Sequence, residues 1–275
     1  MYAIDFEYDG KRLSDFGMIL CSFDSPGLET VSSGADITFN TTKAVGSDKV
    51  KMYGSKYEEM YTTPFQICKN PCNNHDDMHI EPNKVSALQR WLCRKDGFHP
   101  FRPVQDDMQD VYWNATFSSK QLTLNGKVVG LELTMNADSP YAYLSIGTID
   151  YSVNSGESFS LYDSSDEVGF IYPVVKITCK GNGKIILKNS LDSKSTVLSN
   201  LTSGEIITLD GENKIISSSI TSRTDLPNSF NYYYPRIFNR TVDGNDVREN
   251  IFSISADSVA CDISFDYSPI RKIGL

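Results

Sequence analysis

The sequence predicts a mainly β protein, antiparallel and of sandwich type, carrying one helix; three observations predict it. Asp-Gly and Asn-Gly dipeptides recur between short runs rich in Val, Ile, Thr and Tyr, the pattern of tight hairpins. Aromatic residues make up 11% of the 275, with 15 Tyr and 14 Phe, a bias towards strands. A single segment, residues 81–97, shows the three- and four-residue apolar spacing of a helix.

Taken in order, IDFEYDGKRLSDFGMIL centres on Asp9-Gly10, a dipeptide suited to the positive φ angles of a type I′ turn. TTPFQICKN (62–70) reads as a strand. EPNKVSALQRWLCRKDG (81–97) sets Val85, Leu88, Trp91 and Leu92 on one stripe, which predicts a helix over about 83–96. Pro82 or Asn83 starts it, and Gly97 closes it in a left-handed C′ conformation. Arg90, Arg94 and Lys95 fall near its C-terminal end, where cations offset the helix dipole. A lone helix of this length is marginal in water, so Trp91 is expected in the core and not on a ligand.

QLTLNGKVVGLELTM centres on Asn125-Gly126. VVKITCKGNGKIILKN (174–189) and GEIITLDGENKIISSS (204–219) repeat the hairpin arrangement, and DSSDE (163–167) reads as an exposed acidic turn. Composition shifts near residue 140, where ADSPYAYLSIGT (137–148) serves as a junction. Two domains follow: residues 1–138, β with the one helix, and residues 139–275, all β.

The net charge of -9 repels phosphate backbones, so no nucleic-acid partner is expected. No stretch approaches the roughly 20 apolar residues of a membrane span, so no membrane partner is expected. MYAIDFEYDGKRL has acids where a signal peptide has a basic and then an apolar region, which predicts synthesis in a cytoplasm. There the six scattered cysteines are expected as thiols.

QICKNPCNNHDDMHIE (66–81) gathers Cys68, Cys72, His75 and His79. C-x3-C and H-x3-H are both permitted zinc spacings, yet only Asn73 and Asn74 separate the halves. If the strand runs on to Cys72, the two sulfurs lie roughly 13 Å apart, whereas two thiolates on one zinc lie within about 4 Å. Thiols and surface histidines are the favoured reading; a zinc-binding protein is the alternative. Nucleophilic catalysis has only a Cys93–His99 pair to draw on, with no oxyanion hole beside it, so no catalytic residue and no cofactor is assigned. GNGK (181–184) lacks the spacing of a phosphate loop and reads as a turn. Tyr232, Tyr233 and Tyr234 could stack on a sugar, which makes a carbohydrate-binding module recognising a host envelope saccharide another alternative; strand alternation favours burying one or two of them instead.

Several of these residues form a recognisable set. RWLCRKDGFHPFR (90–102), LNGKVVGLELTMNADSPYAYL (124–144), YYYPRIFN (232–239) and the closing FDYSPIRKIGL (265–275) together resemble the distal tail proteins of long-tailed, non-contractile bacteriophages. The closest pieces are Arg90-Trp91-Leu92, Gly126 with Gly130, and Asp138-Ser139-Pro140-Tyr141. The C-terminal half departs most, its Gly/Asn turn surviving loosely as DGNDVRENIF (243–252). The resemblance implies an N-terminal β-sandwich-type domain that closes into a homohexameric ring, followed by a galectin-like β-sandwich. It implies a structural virion protein, not an enzyme, at the distal end of the tail. Its implied neighbours are the tail tube protein, the tail-tip hub or baseplate proteins, and, as a further candidate, a receptor-binding protein. Galectin-like names a fold and does not establish sugar binding.

Overall fold

The structure is a computed structural model that describes residues 4–23, 34–57, 59–73, 77–145, 147–256 and 260–274. Contacts divide the chain into Met1–Leu144 with Arg271–Leu275, and Ser145–Ile270. The sequence placed this boundary at 138/139. Residues 142–144 fall with the first unit because they pair with its sheet, a long-range contact that composition does not reveal.

The first unit runs β1 (Phe6–Tyr8), β2 (Lys11–Arg12), β3 (Met18–Cys21), β4 (Ile37–Lys43), β5 (Val50–Tyr57), β6 (Thr62–Lys69), α1 (Pro82–Leu92), β7 (His99–Pro103), β8 (Val111–Leu124), β9 (Lys127–Ala137) and β10 (Ala142–Leu144). One sheet follows the order β2-β1-β7-β8-β9-β6-β3, with β10 also on β8. Its hairpins turn where the sequence asks: Asp9 and Gly10 at φ 49° and 72°, Asn125 and Gly126 at φ 51° and 77°. Strand alternation does the rest. Val111, Trp113, Ala115 and Phe117 of β8 are buried, as are Leu131, Leu133, Met135 and Ala137 of β9.

Helix α1 packs Val85, Leu88, Trp91 and Leu92 into this core. The Trp91 indole stacks on Phe16 at 4.5 Å and Phe6 at 5.8 Å, and its Nε1–H donates to the Tyr8 carbonyl at 3.0 Å. The helix ends at Leu92, short of the expected residue 96, and Gly97 does not cap it. Cys93 leaves helical geometry at φ −92°, ψ 68°. Beyond it the Arg94 guanidinium pairs with Asp9 and Asp96, and the Arg94 carbonyl accepts from Thr116 Oγ1 at 3.2 Å. These tertiary partners compete with another turn of helix and win. Among the described residues no helix is long and apolar enough to cross a membrane.

The second unit runs β11 (Thr148–Val153), β12 (Ser158–Tyr162), β13 (Gly169–Ile171), β14 (Val174–Cys179), β15 (Gly183–Asn189), β16 (Ser195–Leu201), β17 (Ile206–Asp210), β18 (Ile215–Ser218), β19 (Ile237–Val242), β20 (Asn245–Val247), β21 (Glu249–Ala256) and β22 (Cys261–Asp266). Sheets β11-β22-β14-β17-β18 and β12-β21-β15-β16 supply one shared core, a sandwich. Val175, Ile177, Ile207, Ile263 and Phe265 come from the first sheet, Leu187, Leu198, Phe252 and Ile254 from the second. A small sheet β13-β19-β20 completes the unit.

Two expectations change here. Residues 204–219 do form a hairpin, β17 on β18, but 174–189 do not. β14 is flanked by β22 and β17 and has no free edge for β15, so the GNGK turn carries the chain from one sheet to the other. DSSDE is not wholly exposed either: Asp163 and Ser165 are each 1% exposed. Asp163 accepts from the Ser165 N–H and Oγ at 3.1 and 2.8 Å. Burial pushes its carboxyl above the usual carboxylate range, with the Ser165 bonds and Arg248 opposing.

Candidate functional site

The three zinc candidates that fall among the described residues, Cys68, Cys72 and His79, do not gather around one metal position. Cys68 lies within β6, buried, with its thiol against Cys21. Cys72 is exposed in the turn that follows, and its N–H donates to Asn70 Oδ1 at 2.9 Å. His75 falls outside the described residues. His79 is half-buried with Nδ1 3.2 Å from the Val128 carbonyl. Because β6 runs on through Lys69, Cys68 is held on the sheet while Cys72 has left it. Among the described residues no group of three or more His, Cys, Asp or Glu side chains is arranged around a metal position.

Cys93 and His99 also go separate ways. The Cys93 thiol donates to Ser119 Oγ at 3.5 Å, and His99 Nε2 sits 3.1 Å from Asp96 Oδ1. An open groove of about 510 Å³ runs beside Cys93, lined by α1 and β8 through Ser86, Gln89, Arg90, Phe117, Ser118 and Ser119. No histidine or carboxylate lines it.

The three tyrosines do not make a shared face. Tyr232 is 62% exposed at φ 57°, a left-handed residue that turns the chain. The Tyr233 hydroxyl donates to Asp192 at 2.6 Å, and Arg236 grips the same carboxylate with Nε and Nη2 at 2.9 and 2.8 Å. Burial, then the Asp192 carboxylate, pushes the Tyr233 phenol up to about 12. Tyr234 is buried edge-on against Phe230 at 5.1 Å. One of the three is buried, but not through strand alternation: the run lies in irregular backbone ahead of β19, where the left-handed Tyr232 turns the chain.

The most unusual surface is one the sequence did not single out. Strands β4 and β5 pair with each other and with no other described strand. Their register sets Ile37 opposite Tyr57, Phe39 opposite Ser55, Thr41 opposite Met52 and Lys43 opposite Val50, so these side chains share a face. Four of them are large, apolar and exposed: Ile37 at 46%, Phe39 at 57%, Val50 at 58% and Met52 at 62%. The base of this arm is anchored, Tyr57 standing edge-on to Tyr141 at 5.7 Å. A bulge between Asn40 and Thr41 bends its middle. An isolated two-stranded ribbon is at best marginal in water, and a contiguous exposed apolar face marks an interaction surface.

Comparison with known proteins gives this geometry a setting. Residues 1–139 match the family model described as the phage tail protein N-terminal domain, and residues 141–267 the phage tail C-terminal domain. No curated protein sequence matches the chain. The crystal structure of the SPP1 Dit protein (gp 19.1), described as a paradigm of the hub adsorption apparatus in phages infecting Gram-positive bacteria, is similar in fold. It superposes with a TM-score of 0.62 at 10% identity, covering 96% of this chain and 98% of that one. With both of its domains matched by family models, the chain belongs to the phage tail protein family, and along its length its fold is like that of SPP1 Dit.

Proposed function

We propose that this protein is the distal tail protein of a non-contractile phage tail, six copies of which close into a ring. One face of the ring meets the tail tube and the other the tail-tip hub or baseplate, with host-adhesion proteins beyond. The observation that carries the ring is the β4–β5 arm. A closed ring is a heterologous assembly, in which each subunit offers one patch and receives a different one. The arm supplies the offered patch: an anchored ribbon with Ile37, Phe39, Val50 and Met52 uncovered. Covering it by the neighbouring copy buries apolar area and gives the marginal ribbon the third layer it lacks. The fold likeness to SPP1 Dit and the two family matches support placing such a ring at the tail tip.

Light scattering across a concentration series tests the reading. The expected species has six times the 30.7 kDa of one chain at high concentration and dissociates on dilution. A species of constant single-chain mass at every concentration would count against self-assembly.

A further inference from the structure

We propose that Cys179 and Cys261 form a modification site, where an oxidant joins the two thiols in a cross-strand disulfide. Antiparallel β14 and β22 set the two residues directly opposite one another. The backbone shows which kind of pair this is. The Cys179 N–H donates to the Glu205 carbonyl at 2.9 Å, and the Cys179 carbonyl accepts from the Gly204 N–H at 2.8 Å. Both groups therefore face away from β22, and Cys179–Cys261 is a non-hydrogen-bonded pair. At such positions the Cα atoms stand ~4.5 Å apart with the side chains close. A disulfide spans Cα separations of about 4.4–6.8 Å, so the sulfurs need to rotate together without moving the strands. Both side chains lie on the inner face, 2% and 0% exposed.

The first unit holds a contrasting pair. Cys21 and Cys68 touch, but the register sets Cys21 opposite Gln66 and Cys68 opposite Ile19. They are diagonal neighbours, with Cβ atoms up to about 7 Å apart, where a disulfide needs about 3.5–4.5 Å. Contact alone does not make them a site; register makes Cys179 and Cys261 one.

The oxidant is a low-molecular-weight disulfide. The thiolate of one cysteine attacks it and expels one small thiol, leaving a mixed disulfide on the protein. The second cysteine, as thiolate, attacks the protein-borne sulfur and expels the other small thiol. Two protein thiols thus lose two protons and two electrons, and the small disulfide is reduced to two thiols. Burial pushes each protein thiol up to about 11, with Glu205 adding to this at Cys179 and Asp262 at Cys261. Thiolate is therefore scarce at neutral pH, and closure is slow and quickens with alkali. Access comes by fraying, because Cys179 ends β14 and Cys261 begins β22. A bridge at the short end of the allowed separation is strained and readily reduced, so a reducing cytoplasm keeps the site open. Its closure on release from the host rests on the phage tail reading; the chemistry does not.

Prolonged incubation of the whole chain with oxidised glutathione under mildly alkaline native conditions tests this. Alkylation, trypsin digestion and non-reducing mass spectrometry then read the linkage. The expected product joins ITCK (177–180) to the peptide 249–271, is reversed by dithiothreitol, and raises the melting temperature by several degrees. Cys261→Ala keeps the native circular dichroism spectrum and loses the linked product. Glutathione on exposed Cys72 with Cys179 and Cys261 both still alkylatable after unfolding would overturn the proposal, as would a Cys21–Cys68 link in its place. The readout is covalent and independent of ring mass, so its failure is distinct from failure of the assembly reading.

Discussion

Glu205 and Arg223 form an ion pair whose side chains are 0% and 6% exposed. The Glu205 carboxylate also accepts from Ser218 Oγ and, at 3.0 Å, from the Thr202 N–H. Burial pushes this carboxyl up, but the bonds from Ser218, Arg223 and Thr202 outweigh it and hold it below its ordinary value. A group depressed on folding contributes stability in full above its unfolded value, ~4.3 for Glu. That contribution declines as pH falls below this value and is gone once pH passes the folded one. The melting temperature is thus expected to fall on acidification below about pH 4, and Glu205→Gln is expected to flatten that fall. Arg223→Ala, which strands a buried carboxylate, is expected to cost ~3–5 kcal/mol in denaturant unfolding. Sequence could not reveal this pair, since its partners come from separate strands and loops. Gly130 was legible only as part of a hairpin. A Cβ there would stand 2.5 Å from the Phe23 ring and 2.8 Å from the Ile67 carbonyl. Gly130→Ala is therefore expected to cost ~1–3 kcal/mol through overpacking, measured by urea unfolding.

At the scale of elements, what the chain writes locally was legible. The Asp9-Gly10 and Asn125-Gly126 turns adopt the positive φ their residues favour, and α1 begins at Pro82 with its apolar stripe buried. What depends on partners distant in sequence was not. The end of α1 is set by Arg94, Asp9, Asp96 and Thr116, and the separation of β14 from β15 by strands that arrive later in the chain. The arm escaped for the same reason: no pattern within ITFNTTK and VKMYGSKY says that they pair with each other and with no other described strand. Its role gives a clean separation of variables. Phe39→Asp with Met52→Asp is expected to leave single-chain stability within about 0.5 kcal/mol, because both side chains are exposed. The same double variant is expected to stay monomeric in sedimentation at concentrations where the parent chain assembles. Loss of folding together with loss of assembly would mean that these residues serve the core.

At the scale of the whole molecule, two units, each with its own core, carry a net charge of -9 and a β architecture shared with SPP1 Dit. The candidate sites that chemistry would need are apart: Cys68, Cys72 and His79 have separate partners, and Tyr232 and Tyr234 flank Phe230 while Tyr233 is held by Asp192. What the first unit offers instead is an exposed ribbon, and the proposed ring is a closed assembly in which each copy covers its neighbour's. Electron microscopy of the purified chain, with class averages over a concentration series, tests that claim most directly. The account predicts closed six-fold rings at high concentration that are lost in the Phe39→Asp, Met52→Asp variant. Single chains at every concentration, or rings that persist with the arm altered, would contradict it.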